Sequence, residues 1–181
     1  MNYPIKEKTR NMTMDIDKKI ILENANDPYH VSNVHKSSCK SVEVMYDNGD
    51  MQILVYEVYS FPFFKFLSFL TTKFLVLKTT TSDDVTFYSI PTKLNFITKT
   101  KISCKQNEDN TSYTNNFQFK PMTFLYSIFS PLIMKMRDRG ESLRLNEDIE
   151  LMKLRTEALK SKHIDNTICI NQILLLKKWF K

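Results

Sequence analysis

Apolar and polar residues alternate with a period of two through much of the stretch from residue 41 to residue 120. In SVEVMYDNGDMQILVYEVYS (41 to 60) two alternating runs flank DNGD, and Asn48-Gly49 readily takes the positive φ of a tight hairpin turn. Further strands are predicted at about 74 to 80, 84 to 90, 93 to 105 and 111 to 120, with NEDN (107 to 110) making another turn. After Pro121 the period becomes helical. PMTFLYSIFSPLIMKMRDR (121 to 139) and NEDIELMKLRTEALKSK (146 to 162) both have helical spacing, the second with Asn146 as cap, acids in its first turn and lysines in its last.

Ahead of the hairpin the pattern is weaker. Residues 1 to 15 are polar and without period, which predicts a loose arm, and KKIILEN (18 to 24) reads as a short strand. In NDPYHVSNVH (26 to 35), Asp27 is a candidate cap and Pro28 stands at the first helical position, where its missing N–H costs nothing. A short helix to about Val34 follows. The order is strand, short helix, about six antiparallel strands with a helical insertion, then a long C-terminal helix. This is an α+β layout in which a curved antiparallel sheet wraps a long helix, over residues 16 to 165, followed by a tail at 166 to 181 that is open to helix formation. A bent sheet and a straight helix cannot touch along their full lengths, so a cavity is expected between them. Phe87, Tyr88, Phe96, Phe117 and Phe119 are the candidate lining, and they favour a flat or extended apolar ligand.

Composition narrows the function classes. With 2 glycines in 181 residues, neither a dinucleotide-binding GxGxxG nor a P-loop can be built. The net charge of +6 is spread along the chain without a basic run of five or more, which reads as a solvated surface and not a nucleic-acid footprint. Three cysteines, Cys39, Cys104 and Cys169, include no CxxC, and the N-terminus carries no secretory signal. That predicts reduced thiols in an intracellular setting, cytoplasmic or organellar. FPFFKFLSFLTTKFLVL (61 to 77) is interrupted by Lys65 and Lys73 and falls short of the roughly 20 apolar residues of a membrane span. NQILLLKKWFK (171 to 181), with Trp179 and three lysines, could dock on the domain, on a partner or on a membrane surface.

The candidate chemistry lies in ENANDPYHVSNVHKSS (23 to 38), which holds two of the three histidines. Asp27, His30 and His35 make D-x2-H-x4-H. Residues five apart on a helix point about 140° away from each other, so both imidazoles can face one ion only if the helix ends between them. A helix ending near Val34 meets that need. Two imidazoles and one carboxylate on one face of an octahedron form the facial triad of non-haem Fe(II) oxygenases. The missing carboxylate is placed at Asp148, in LNEDIELMKLR, with Glu147 as the fallback. The alternatives are a polar surface helix for the histidines and a helix-dipole acid for Asp148. Glu23 and Asn24 read as supporting groups, and His163 as a partner of the last helix's dipole. Cys39, four residues after His35, lacks any oxyanion-loop signal and reads as a small buried residue.

The stretch from 23 to 38 resembles the catalytic domain of Rieske-type non-haem iron oxygenases, where E-N-x2-D-x2-H-x4-H supplies two iron-binding histidines. NEDIELMKLRTEALKSK is similar to that family's later carboxylate segment. The resemblance spans about residues 18 to 163. It implies His30, His35 and Asp148 as ligands of Fe(II), and Asp27 as the bridging carboxylate that relays electrons from a Rieske cluster on a neighbouring subunit. It implies the START-like helix-grip fold, an apolar aromatic or sterol-like substrate, and an oligomer of such chains. No C-x-H or C-x2-H pair is present, so no Rieske cluster can form in this chain, and the expected electron donor is a separate protein carrying an Fe-S cluster. The superfamily also contains domains that bind lipids and other apolar ligands without metal, which is the alternative function.

Overall fold

In a computed structural model of the chain, residues 3–60 and 69–160 are described, with side chains to 157. Ten elements follow in order: β1 (Lys6–Met14), α1 (Lys18–Asn26), α2 (His30–Val34), β2 (Cys39–Asp47), β3 (Met51–Tyr59), β4 (Thr71–Thr80), β5 (Asp84–Pro91), β6 (Phe96–Gln106), β7 (Thr111–Pro121) and α3 (Phe124–Lys160). The strands form one antiparallel sheet in the order β1-β7-β6-β5-β4-β3-β2, so each pair but β1–β7 is a sequential neighbour. The sheet curves around α3, the helix-grip arrangement expected from the hydrophobic pattern.

The hairpin forms where the alternation predicts it. Gly49 takes φ +91°, and the turn is closed by Gly49 N–H donating to Asp47 Oδ1 and Met51 N–H donating to Asn48 Oδ1, both at 2.8 Å. β7 alternates buried and partly exposed residues along its whole length, with Thr111, Tyr113, Asn115, Phe117 and Phe119 facing inward.

Three local expectations are corrected. The stretch read as a loose arm contains β1, which pairs in unbroken register with β7 from Lys6↔Phe119 to Met14↔Thr111. KKIILEN is helix α1: the Asp17 side chain accepts from Lys19 N–H at 2.7 Å, and Ile20 and Ile21 turn into the core with Leu145, Leu151 and Met152 of α3. The two C-terminal helical runs are one helix of 37 residues, about 56 Å long. Asn146 therefore lies in its interior and caps nothing. Pro131, also inside α3, removes the N–H that would reach the carbonyl of Ser127, and the buried Ser130 hydroxyl donates to that carbonyl instead, at 2.8 Å. The tail at 166 to 181, His163, Cys169 and the first part of the aromatic stretch (61 to 68) lie outside the described residues.

The inner face carries three apolar clusters. One joins α1, β6, β7 and the second half of α3, and the next holds Cys39, Leu54, Tyr56 and Val76 beside Val31 and Phe87. The third is aromatic. Phe96, Phe117 and Phe119 pack with Phe74 and with Tyr126, Ile133 and Met134 of the first half of α3. Arg10 and Lys8 of β1 reach Asp138 of α3 at 2.9 and 2.7 Å, so the edge strand helps seat the helix.

Candidate functional site

His30 opens α2 because Asp27 builds the turn before it: Asp27 Oδ1 accepts from Tyr29 N–H at 2.9 Å, and its carbonyl accepts from His30 N–H at 3.3 Å. The helix then stops at Val34. His35 leaves helical geometry at φ −98° and ψ 49°, which swings its ring back towards His30. The two rings meet edge to face with centroids 5.2 Å apart. The break between residues five apart is what lets both imidazoles face one point.

That point is Asp148, on the α3 turn opposite α2. His30 Nε2 lies 2.7 Å and His35 Nε2 2.9 Å from the same oxygen, Asp148 Oδ1. One donor atom from each of the three residues falls within 4.8 Å of the other two. Both histidines are buried, at 5% and 3% exposure, so these are interior groups and the surface-helix alternative is excluded. Glu147 is not the third member of the cluster. Its Oε2 instead accepts from His35 Nδ1 at 2.8 Å from a half-exposed position.

The electrostatics follow from this geometry. Burial pushes the Asp148 carboxyl up, but hydrogen bonds and charge from His30 and His35 together outweigh it and hold the group below the usual carboxylate range. Burial alone would lower His35, yet Asp148 and Glu147 raise it above its ordinary value. Each ring nitrogen of His35 faces a carboxylate oxygen, an arrangement that favours the doubly protonated ring and accounts for the upward shift. His30 Nδ1, by contrast, is buried with no hydrogen-bond partner among the described residues.

Other sequence candidates fall in different places. Asp27 serves the turn that carries His30 and is not one of the three convergent groups. Glu23 pairs with Arg155 of α3, and Asn24 is buried. Cys39 is buried, its thiol pushed up to about 11 by desolvation, which removes it as a nucleophile beside His35. Of the cavity residues, Phe96, Phe117 and Phe119 are buried together, and Phe87 is half-buried against the cluster of Cys39, Leu54, Tyr56 and Val76. Tyr88 is the correction: it is 40% exposed on the outer face, under Lys99, because neighbouring residues of a strand cannot both point inward.

Two inward polar groups were not singled out from the sequence. Lys78 is 1% exposed, donates to the carbonyl of Asn26, and is lowered by burial to about 8. Its parity with Phe74 and Val76 on β4 was the available signal. Arg137 lies 4.3 Å over the Phe117 ring and pairs with Glu141 at 3.1 Å. Arg137, Glu141 and Phe117 line a cleft of about 20 Å3 with Lys8, Arg10, Asn115, Met134 and Asp138, room for roughly one water molecule.

No family model matches the sequence, and no curated protein matches it. Solved structures do match in shape. The Zhui aromatase/cyclase from Streptomyces sp. R1128 aligns with a TM-score of 0.68 at 8% identity, covering 84% of this chain and 96% of that one. A truncated norcoclaurine synthase from Thalictrum flavum aligns at 0.62 with 14% identity, over 85% and 95%. A START superfamily protein from Mycobacterium smegmatis aligns at 0.55 with 7% identity, over 78% and 97%. The chain has the START-like helix-grip fold. Identities this low establish the fold alone, and the Rieske-type resemblance gains no further support from them. Among the described residues no helix is long and apolar enough to cross a membrane.

Proposed function

We propose that the chain is a helix-grip binding domain whose ligand is an apolar small molecule, held between the inner sheet face and the first half of α3. The observation that carries this reading is the aromatic floor of Phe96, Phe117 and Phe119, with Phe74 beside it, roofed by Tyr126, Ile133 and Met134. The fold supports it as well, since a norcoclaurine synthase variant of the same fold was solved in complex with a transition state analogue. The cleft beside Phe117 holds about one water, so a ring-sized ligand enters by displacing the roof. Met134, unbranched and flexible, is the side chain best suited to move. Burying about 200 Å2 of apolar ligand surface there contributes about 5 kcal/mol before the cost of moving the helix. Displacement of an anilinonaphthalene dye by sterols, fatty acids and aromatic compounds tests the reading. Saturable displacement that falls about tenfold in Met134→Trp, which fills the roof, is the expected result. No saturable binding by any of the three classes would remove the proposal.

A second reading is favoured by the convergence of His30, His35 and Asp148. Two imidazoles and a carboxylate suit a divalent transition metal, and their burial and common focus fit one ion at the point the three now share. By the resemblance that ion is Fe(II), with His30 Nε2, His35 Nε2 and an Asp148 oxygen as ligands. When bound, it would supply open coordination positions for O2 and substrate, with electrons from a separate Fe-S protein. The chain's own part is to release the Nε2 protons of both rings, to keep His35 oriented through Nδ1–H donated to Glu147, and to keep Asp27 holding the turn under His30. Phe87 packs against the same apolar cluster as Val31 of α2, which makes it the cavity residue we propose to meet a substrate of this centre. Metal analysis of protein purified without chelator tests it: about one iron per chain, lost in His30→Ala and in His35→Ala, is expected. Iron absent, or retained in both variants, would leave the cluster a buried ion-pair network.

A further inference from the structure

We infer that one end of the molecule docks on the surface of a bilayer containing anionic lipid. The ends of β3, β4, β5, β6 and β7 and the start of α3 lie at one rim of the sheet, stitched by Ser60 N–H to Leu70 O, Thr92 N–H to Lys73 O and Met122 N–H to Asn95 O. Apolar side chains stand out from this rim into solvent. Phe69 is 74% exposed, Phe124 66%, Leu125 59% and Met122 56%.

The surface continues along α3. Leu125, Ile128, Phe129, Leu132 and Met136 are exposed by 39% to 59%. At 100° per residue they fall within one narrow stripe, while Tyr126, Ile133 and Met134 on the other side pack on the aromatic floor. Both faces of this half of the helix are thus apolar, and only one is covered by the sheet. The stripe runs about 17 Å from the rim. Exposed apolar surface of this extent marks a docking site.

Charge identifies the partner. The described segments that build the rim and the stripe, 58 to 60, 69 to 82, 85 to 107 and 110 to 137, contain no Asp or Glu. Exposed Lys73, Lys93, Lys120 and Lys135 lie among them. The acids that border these segments are paired with bases: Glu57, opposite Lys73 on β3, meets Lys40 at 3.0 Å, and Asp138 meets Lys8 at 2.7 Å and Arg10 at 2.9 Å. Apolar projections flanked by exposed lysines, with the bordering acids held in ion pairs, match an interface with a hydrocarbon boundary below anionic headgroups. The inference holds whether or not the aromatic floor takes a ligand.

Co-sedimentation of the full chain with vesicles of phosphatidylcholine, with and without phosphatidylserine, tests it. Binding is expected only when phosphatidylserine is present, and it should weaken strongly between about 0.1 M and about 1 M salt. Leu125→Glu and Phe129→Glu change exposed side chains, so the circular dichroism should stay unaltered while binding falls more than about tenfold. Lys93→Ala should cost about fivefold. Failure of the wild-type chain to bind would overturn the inference. So would equal binding by both glutamate variants, which would place contact elsewhere, for example at the tail from 171. A dimer in sedimentation velocity that the same variants dissociate, without vesicle binding, would reassign the stripe to an interface between two copies.

Discussion

Lys78 is a buried ammonium with one backbone carbonyl as its hydrogen-bond partner, and this dictates how stability should vary with pH. Burial lowers its pKa from 10.5 to about 8. Below pH 8 the group is charged in both folded and unfolded chains, and the folded state bears the full desolvation cost. Between 8 and 10.5 the unfolded chain binds the extra proton, so this group makes stability rise with pH. Relative to wild type, Lys78→Met should be more stable by about 1–3 kcal/mol at neutral pH, the advantage shrinking as pH rises through that window. Urea unfolding of both proteins at several pH values checks it, and a constant difference would contradict it. Residue-level reading of the sequence named three residues that do lie together, His30 and His35 of D-x2-H-x4-H and Asp148 of α3, while their role as metal ligands stays a proposal. It failed where parity was neglected. Phe87 and Tyr88 are adjacent on β5 and face opposite sides. The contacts of Lys78 and Arg137 were illegible for another reason, since they depend on which distant backbone or ring stands opposite.

At the scale of elements, the interior of α3 offers tests that separate one helix from two. If Asn146 capped a second helix, Asn146→Ala would cost about 1 kcal/mol. In the observed helix interior it is exposed, and the same change should stabilise by a few tenths of a kcal/mol through better helix propensity. Gly140→Ala should add up to about 1 kcal/mol, because a Cβ there meets nothing within 4 Å. Asp17→Ala should lose about 1 kcal/mol with its hydrogen bond to Lys19 N–H. Shifts of the urea midpoint measure all three. The hairpin and β4 to β7 were legible because one face of each is buried. β1 was not, since a polar edge strand has no apolar period to read and pairs with a strand far away in sequence. KKIILEN was ambiguous because a short apolar run fits strand and helix alike, and the Asp17 cap and the packing on α3 decide it.

At the scale of the whole molecule, the sheet wrapped on α3 was foreseeable because a long helical period after six alternating runs has few ways to bury both. The two candidate sites lie at different places along that helix: Met134 over the aromatic floor and Asp148 at the histidines are separated by about 21 Å. A ligand in the floor and a metal at the histidines should therefore bind independently, and titration of an apolar probe should give the same affinity with and without chelator. The most direct measurement of the gripped ligand is isotope-edited NMR of the chain with a bound fatty acid or aromatic probe, read at the Ile133 and Met134 methyl groups. Intermolecular contacts from those methyls and from the Phe117 ring, saturating with the probe, are the predicted result. Saturable binding without contacts at these three residues, or no binding at all, would contradict it.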